Sequence, residues 1–324
     1  MKSNIKLACV TVLMLLFGIT SCDKAKQPEQ KATAPLAKQK THIALVMKTL
    51  TNPFFVAMEK GAREAEKEFG IQLVVKTAAE ETSINQQIDI VNQLVRDNQV
   101  SAIVIAPGDS VELIPVLKTA QDKGIKVVNI DNQLDPEASQ KLGLTPVPFI
   151  SVDNEAAAYL SAKYISDKIT SPTNVAILEG IPSASNAQAR KAGAVKAFSE
   201  NPNITVVASK TAHWKVDEGY EVTKSIFEEF PDIGALFCAN DMMAIGAIQY
   251  LTESARENVQ VAAFDAIDEA KSAIKERKLA VSIDQLPARQ GYVGVKLALD
   301  LLNGQTPPPE TFIDVSVIDA QSLQ

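Results

Sequence analysis

Lys48, Asn52, Phe54 and Phe55 fall within eight residues, KTLTNPFF, at positions 48–55. An ammonium and an amide beside two flat apolar rings suit a neutral polyhydroxylated ligand: rings cover C–H faces and polar groups pair hydroxyls. Other polar side chains follow apolar runs. Asp131 follows IKVVNI, Asn240 and Asp241 follow ALFC, Asp265 follows VQVAAF and Gln285 follows VSID. Asn and Asp there are also favoured helix caps, and capping is the role expected of Asp241, because Asn240 lies nearer the strand end. Asp131 and Asp265 sit in different halves of the chain. Facing one cleft, each would accept ligand hydroxyls in charge-assisted bonds. Trp214, the only tryptophan, lies in the loop TAHW and is expected to offer an exposed stacking face. Phe54 and Phe55 are adjacent on a helix, so one is expected in the core and the other on a cleft wall.

These side chains need elements to position them. Residues 42–47 (HIALVM) read as a strand and 53–69 as an amphipathic helix. That puts 48–55 at a strand's carboxyl end, where open α/β sheets bind ligands. Further strands are predicted at 71–76, 102–106, 126–130, 174–179, 204–209, 234–238, 259–264 and 280–284. Helices are predicted at 84–97, 110–123, 154–169, 187–199, 216–229, 241–254, 267–277 and 288–303. Such alternation implies parallel sheets with helices on both faces, and the two halves look like two copies of one architecture. Pro53 suits the first helical turn after Asn52, and Gly70 and Gly124 sit where helices should end. Residues 134–149, marked by Pro and Gly and without a clear period, are expected to carry the chain from the first half to the second.

The start of the chain reads as an address. Lys2 and Lys6 precede an apolar run, 7–19, whose 13 residues fall short of the ~20 that span a bilayer. The run ends in ITSC, which resembles a bacterial lipobox, with cleavage before Cys22 and lipidation of that cysteine. Residues 23–40 lack aromatics and read as a flexible tether. The remaining stretch, about 280 residues, is long enough for two lobes. Of the three cysteines, Cys9 would leave with the signal, Cys22 would be acylated, and Cys238 remains as a small core residue with no disulfide partner. A net charge of −7 disfavours nucleic-acid binding. The two histidines form no cluster with metal spacing, and no cofactor is implied.

KTLTNPFF, IAPGDS, VNIDN, EGIPSASNAQARKAG, TAHW, FCANDMMAIGA, VAAFD and SIDQLPARQG occur in the order and spacing of type 1 periplasmic sugar-binding proteins. The set resembles the ribose- and allose-binding group, and KTLTNPFF its allose-like branch. The resemblance implies an α/β fold of two Rossmann-like lobes joined by three hinge crossings. It implies a signal at 1–21, a lipidated tether at 22–40, a first lobe of 41–152 plus 286–314, and a second of 153–285 plus 315–324. Ligand contacts carry over to Lys48, Asn52, Phe54, Phe55 and Asp131 in the first lobe. In the second they carry over to Arg190, in the first turn of its helix, and to Asn186, Trp214, Asn240 and Asp265, with Gln285 at a hinge crossing. Asn132 stands on the same reading face, where ribose binders have arginine and allose-like ones an acid. Ala106 replaces an asparagine that touches the sugar in ribose binders. Both departures argue against ribose and leave a hexose or another sugar-like solute.

The implied function is capture of a monosaccharide by a monomeric, membrane-anchored lipoprotein that hands it to an ABC permease. A sensory role, presenting the ligand to a chemoreceptor or membrane kinase, is the alternative. A glycosidase would need one carboxyl held protonated beside an apolar wall, and nothing in the sequence marks Asp131 or Asp265 so. A sugar-responsive repressor would begin with a helix-turn-helix rather than an export signal.

Overall fold

The computed structural model describes residues 41–324; the expected export signal, Cys22 and the tether lie outside them. The first sheet takes β1 (His42–Met47), β2 (Gln72–Thr77), β3 (Ala102–Ile105), β4 (Lys126–Ile130) and β5 (Phe149–Ser151). The second takes β6 (Thr173–Glu179), β7 (Ile204–Thr211), β8 (Ile233–Cys238), β9 (Gln260–Ala262) and β10 (Val281–Asp284). Each gains a late strand, β11 (Glu310–Phe312) beside β5 and β12 (Ser316–Asp319) beside β10. The orders, β2-β1-β3-β4-β5-β11 and β7-β6-β8-β9-β10-β12, are the same pattern twice. Pairing is parallel throughout except for β12, which runs antiparallel to β10.

Helices α1 (Pro53–Phe69), α2 (Ile84–Asp97), α3 (Ile114–Asp122) and α4 (Pro136–Lys141) accompany the first sheet. Helices α5 (Asn154–Ser166), α6 (Ser185–Ser199), α7 (Val216–Glu229), α8 (Asp241–Glu253) and α9 (Asp268–Lys275) accompany the second. The last helix, α10 (Pro287–Leu302), returns to the first sheet and packs on α1. That packing is backbone to backbone, since a Cβ on Gly61 would sit 1.8 Å from the Ala288 carbonyl oxygen.

Strands covered on both faces must be apolar on both. β1 shows how the pleat divides them. Ile43, Leu45 and Met47 pack with Met58, Ala62 and Val295 on one face; Ala44 and Val46 pack with Val91, Leu94 and Leu117 on the other. In the second lobe one cluster is continuous and includes Phe237, Phe264, the free Cys238 and Trp214. Burial pushes the Cys238 thiol's pKa up, consistent with an inert core position.

The chain crosses between the sheets three times, at 151–154, 284–287 and 312–316. Residues 134–149 therefore do not carry it across. They hold α4 and lead into β5, which still pairs with β4 in the first sheet. Neither α4 nor the short strands β5, β11 and β12 were predicted. Among the described residues no helix is long and apolar enough to cross a membrane.

Candidate functional site

Both sheets turn their strand carboxyl ends toward one cavity. It is lined by Lys48, Asn52, Phe54, Phe55, Glu81 and Asp131 from the first lobe and Asn186, Arg190, Trp214, Asn240 and Asp265 from the second, with Gln285 at the crossing. The space between them is small, about 230 Å³ with the opening to solvent included. That is below the roughly 300–1,000 Å³ of drug-sized sites, so the cavity suits a small solute. A wider cavity, about 1020 Å³ by the same measure, adjoins it at Phe54 and Asp265, beside the crossing at Leu286. The smaller one holds the converging charges. Among the described residues no group of three or more His, Cys, Asp or Glu is placed to hold a metal ion.

In the first lobe, β1 ends and Lys48 turns inward, 2% exposed. Its Nζ lies 2.8 Å from Asp131 Oδ2 and 5.5 Å from the Phe55 ring centroid. The Asp131 oxygen has no hydrogen-bond partner by angle, so the contact is an ion pair rather than an aligned hydrogen bond. Asp131 itself is held at φ 66°, in the left-handed region that Asp tolerates better than most side chains. Asn52 caps α1: its Oδ1 accepts from Phe54 N at 3.0 Å while its Nδ2 donates to Glu81 Oε1 at 2.9 Å. Capping and cavity lining, alternatives on the sequence, are one residue's two ends. Phe54 and Phe55 both line the cavity and both are buried, packed edge to face with centroids 5.0 Å apart, so the expected division between core and wall does not hold.

In the second lobe Arg190 is the anchor. α6 starts at Ser185, so Arg190 lies in its second turn rather than the first. Its Nε donates to Asn154 Oδ1 at 2.8 Å and its Nη1 to the Ala239 carbonyl at 2.9 Å. The guanidinium stacks 3.8 Å over Phe264 and stands 3.5 Å from Asp265 Oδ1. Desolvation lowers the Arg190 pKa, with Asp265 opposing. Burial likewise pushes Asp265 up to about 7, although Arg190 and the Gln285 Nε2 donor at 2.7 Å pull the other way. Trp214 is 4% exposed, not the open face expected. Its ring lies on Gly180, where a Cβ would come within 1.9 Å of Cζ2. Asn240 caps α8, accepting from Met243 N at 2.9 Å.

Two further residues depart from the sequence reading. Asn132 does not line the cavity. Buried at 0% exposure, it donates to the Pro107 carbonyl at 3.2 Å and accepts from Ser185 Oγ at 2.9 Å and Asn186 N at 3.2 Å. It is a stitch between lobes. Ser110 reinforces it, accepting from Ser185 N at 3.0 Å, and Lys215 meets Glu80 across the seam at 2.8 Å. Asp241 does not cap α8 either. It accepts from Ser282 Oγ at 2.7 Å and Ile267 N at 2.9 Å, and burial raises its pKa strongly. The residue that sequence reasoning missed is Glu81, in the loop between β2 and α2. That loop is a strand carboxyl end like the one bearing Lys48, so a search of every such loop finds it.

Two doubly wound lobes closed over a small polar cavity at their strand ends make this a type 1 periplasmic binding protein. The model of the periplasmic binding protein domain matches residues 43–306, and the chain belongs to that family. A D-ribose/D-allose-binding protein from Pseudomonas aeruginosa is 39% identical over 277 residues, covering 84% of this chain and 85% of that protein. The D-allose-binding periplasmic protein of Escherichia coli is 31% identical over 280 residues, covering 86% and 90%. A solved ABC transporter solute-binding protein from Actinobacillus succinogenes, with bound D-allose, has a TM-score of 0.83 at 38% identity, covering 88% of this chain and 99% of that one. These relatives are solute-binding proteins, not enzymes, and the glycosidase alternative falls with them. A sugar ligand and an ABC transporter in the membrane fit the family.

Proposed function

We propose that this protein captures a monosaccharide, a hexose such as allose in preference to ribose, and delivers it to an ABC permease. The observation that carries the reading is the convergence of Lys48, Glu81 and Asp131 from one lobe and Arg190, Asp265 and Trp214 from the other on one small cavity. Carboxylates accept hydroxyls, the cations and amides donate to ring and hydroxyl oxygens, and the rings cover C–H faces. Lys48, Asn52, Phe54, Phe55, Asp131, Asn186, Arg190, Trp214, Asn240, Asp265 and Gln285 contact the sugar in this reading. Ala106 is fully buried and offers no side-chain amide, which favours a hexose over ribose. The names of the relatives support the same class without deciding between the two. Export and anchoring through a lipidated Cys22 complete the proposal.

The ligand stabilises the closed form by contacts that exist only when both lobes reach it. Isothermal titration with D-allose, D-ribose and a panel of hexoses and pentoses tests this. A hexose should bind at micromolar Kd or tighter and ribose at least about tenfold more weakly, which is ~1.4 kcal/mol. Ribose binding as tightly as the best hexose overturns the preference; no binding anywhere in the panel overturns the reading.

A further inference from the structure

Glu81 has acceptor capacity that the fold does not use. Its side chain is 90% buried, with 10% of its surface exposed. Oε1 is committed to Asn52 Nδ2 at 2.9 Å. Oε2 lies 4.0 Å from Lys48 Nζ, beyond hydrogen-bond reach. Lys48 already has Asp131 at 2.8 Å as its counter-ion. Three carboxylates and two cations line the cavity, so Glu81 brings a charge that pairing does not require. Bracing the Asn52 amide needs only a neutral acceptor. Burial favours the protonated acid, with Lys48 and the Asn52 donor opposing, so the carboxylate gains from any further donor.

The spacing fits one group. An oxygen placed about 2.8 Å from both Lys48 Nζ and Glu81 Oε2 would see them at an angle of roughly 90°, close to the directions in which a hydroxyl accepts and donates. We propose that Lys48 and Glu81 together read a single ligand hydroxyl: Lys48 donates to its oxygen, and its proton goes to Glu81 Oε2 as a hydrogen bond. This rests on the sugar reading above. A hydroxyl both accepts and donates. A deoxy carbon would leave Oε2 and Nζ unpaired, an ether cannot donate, and a carboxylate would meet the charges of Glu81 and Asp131. Glu81 is therefore a specificity determinant, selecting against deoxy and uronic analogues at one position.

The test is a calorimetric cycle between protein and ligand variants. Wild type, Glu81→Gln and Glu81→Ala are titrated with the tightest-binding sugar of the panel and with each of its monodeoxy analogues. Circular dichroism checks that each variant is folded, and the near-isosteric Glu81→Gln guards against loss of structure. Wild type should lose tenfold or more with one particular deoxy analogue. Glu81→Ala should bind the parent sugar that much more weakly and lose nothing further with the same analogue. Equal weakening of parent and all analogues would make Glu81 a brace for Asn52, overturning the proposal while the sugar reading stands. Failure of wild type to bind any parent sugar overturns both.

Discussion

The two walls of the cavity are built on the same strand order yet are paired in opposite ways. In the first lobe charge faces charge: Lys48 forms an ion pair with Asp131, and Asn52 ties Glu81 to the start of α1. In the second, Arg190 spends its hydrogen bonds on neutral partners, Asn154 and the Ala239 carbonyl, with Asp265 at 3.5 Å. Asn186 Oδ1 and Trp214 Nε1 are buried there without hydrogen-bond partners. An orphaned buried polar atom costs about 1–3 kcal/mol. The first wall's one such atom, Asp131 Oδ2, still faces the Lys48 ammonium at 2.8 Å, whereas the second wall's neutral orphans have no such counter-charge and gain from any ligand that reaches them. That difference gives a ligand its leverage on closure, since only differential contacts shift a two-state equilibrium.

Removing the cation from each wall should break the comparison most sharply. Arg190→Met leaves Asp265 without its cation and Asn154 Oδ1 and the Ala239 carbonyl without their donor, and should cost about 3–5 kcal/mol of stability and abolish binding. Arg190→Lys should not rescue it, because one ammonium cannot replace the Nε and Nη1 pair. Lys48→Met should cost less, about 1–3 kcal/mol, because Lys48 makes an ion pair with Asp131 but no aligned hydrogen bond, whereas Arg190 donates two. Urea denaturation of both variants measures the gap. Equal losses would show that the first wall is no more self-sufficient than the second.

The second wall's Asp265 should also make stability and affinity depend on pH, as should Glu81 in the first, whose pKa burial likewise raises. Asp265 sits at about 7 against an ordinary 3.8, so between those values the folded state binds a proton that the unfolded state does not. Its contribution to stability is present below 3.8 and lost as pH rises through about 7, with a slope of up to roughly 1.4 kcal/mol per pH unit. Burial shifts Asp241 in the same direction. Donating sugar hydroxyls favour the charged Asp265, so affinity should instead fall as pH drops below about 7, with proton release on binding. Denaturation of the free protein from pH 5 to 8, and calorimetry in buffers of different ionisation enthalpy, read the two trends. Asp265→Asn should flatten both; a variant that keeps the wild-type slopes assigns them elsewhere.

A finer cut separates ring from donor at Trp214. Trp214→Phe keeps a ring against Gly180 but removes the unpartnered Nε1–H. Affinity should weaken by about 0.5–1.5 kcal/mol, the worth of one neutral hydrogen bond, with little loss of stability. Trp214→Ala should weaken binding by ~1–3 kcal/mol or more, as a buried aromatic anchor does. Unchanged affinity in the Phe variant would mean that the orphan is not a ligand donor.

Much of this was legible before the structure. Apolar strands and capped helices repeat too regularly for another fold, and polar residues just past strand ends can only gather where the ends meet. What escaped had physical reasons. β5, β11 and β12 are three or four residues long, too short for a pattern, and exist because a neighbouring strand pairs with them. Glu81 follows Glu80 in a polar loop, where an acid reads as solvated; its place past a strand end was the one signal for it, and the Asn52 amide shows which of the two acids turns inward. Asn132 follows Asp131 directly, yet the chain turns at Asp131, at φ 66°, and the two side chains serve different surfaces. Trp214 lines the cavity but not as an open face, since a single sequence does not say that Gly180 lies beneath its ring.

The smallest effects should come from the seam, and there the contrast is between a buried stitch and an exposed clasp. Asn132 joins the lobes through neutral hydrogen bonds inside the protein. Asn132→Ala would strand Asn186 N, which belongs to the other lobe, only in the closed form, while Ser185 Oγ would keep the Gln133 carbonyl at 3.2 Å. Affinity should fall roughly tenfold, within the ~1–3 kcal/mol of stranded polar groups, and dissociation should speed up. Lys215 and Glu80 meet at the surface, with 30% and 57% of their side chains exposed. Their attraction is screened by salt, so Glu80→Gln should change affinity only at low ionic strength and not near 1 M, where the Debye length is about 3 Å. Stopped-flow dissociation rates at two salt concentrations distinguish the two contacts. If the Asn132 variant released ligand at the wild-type rate while the Glu80 variant released it faster at every salt concentration, closure would rest on the ionic clasp and the neutral stitch would be incidental.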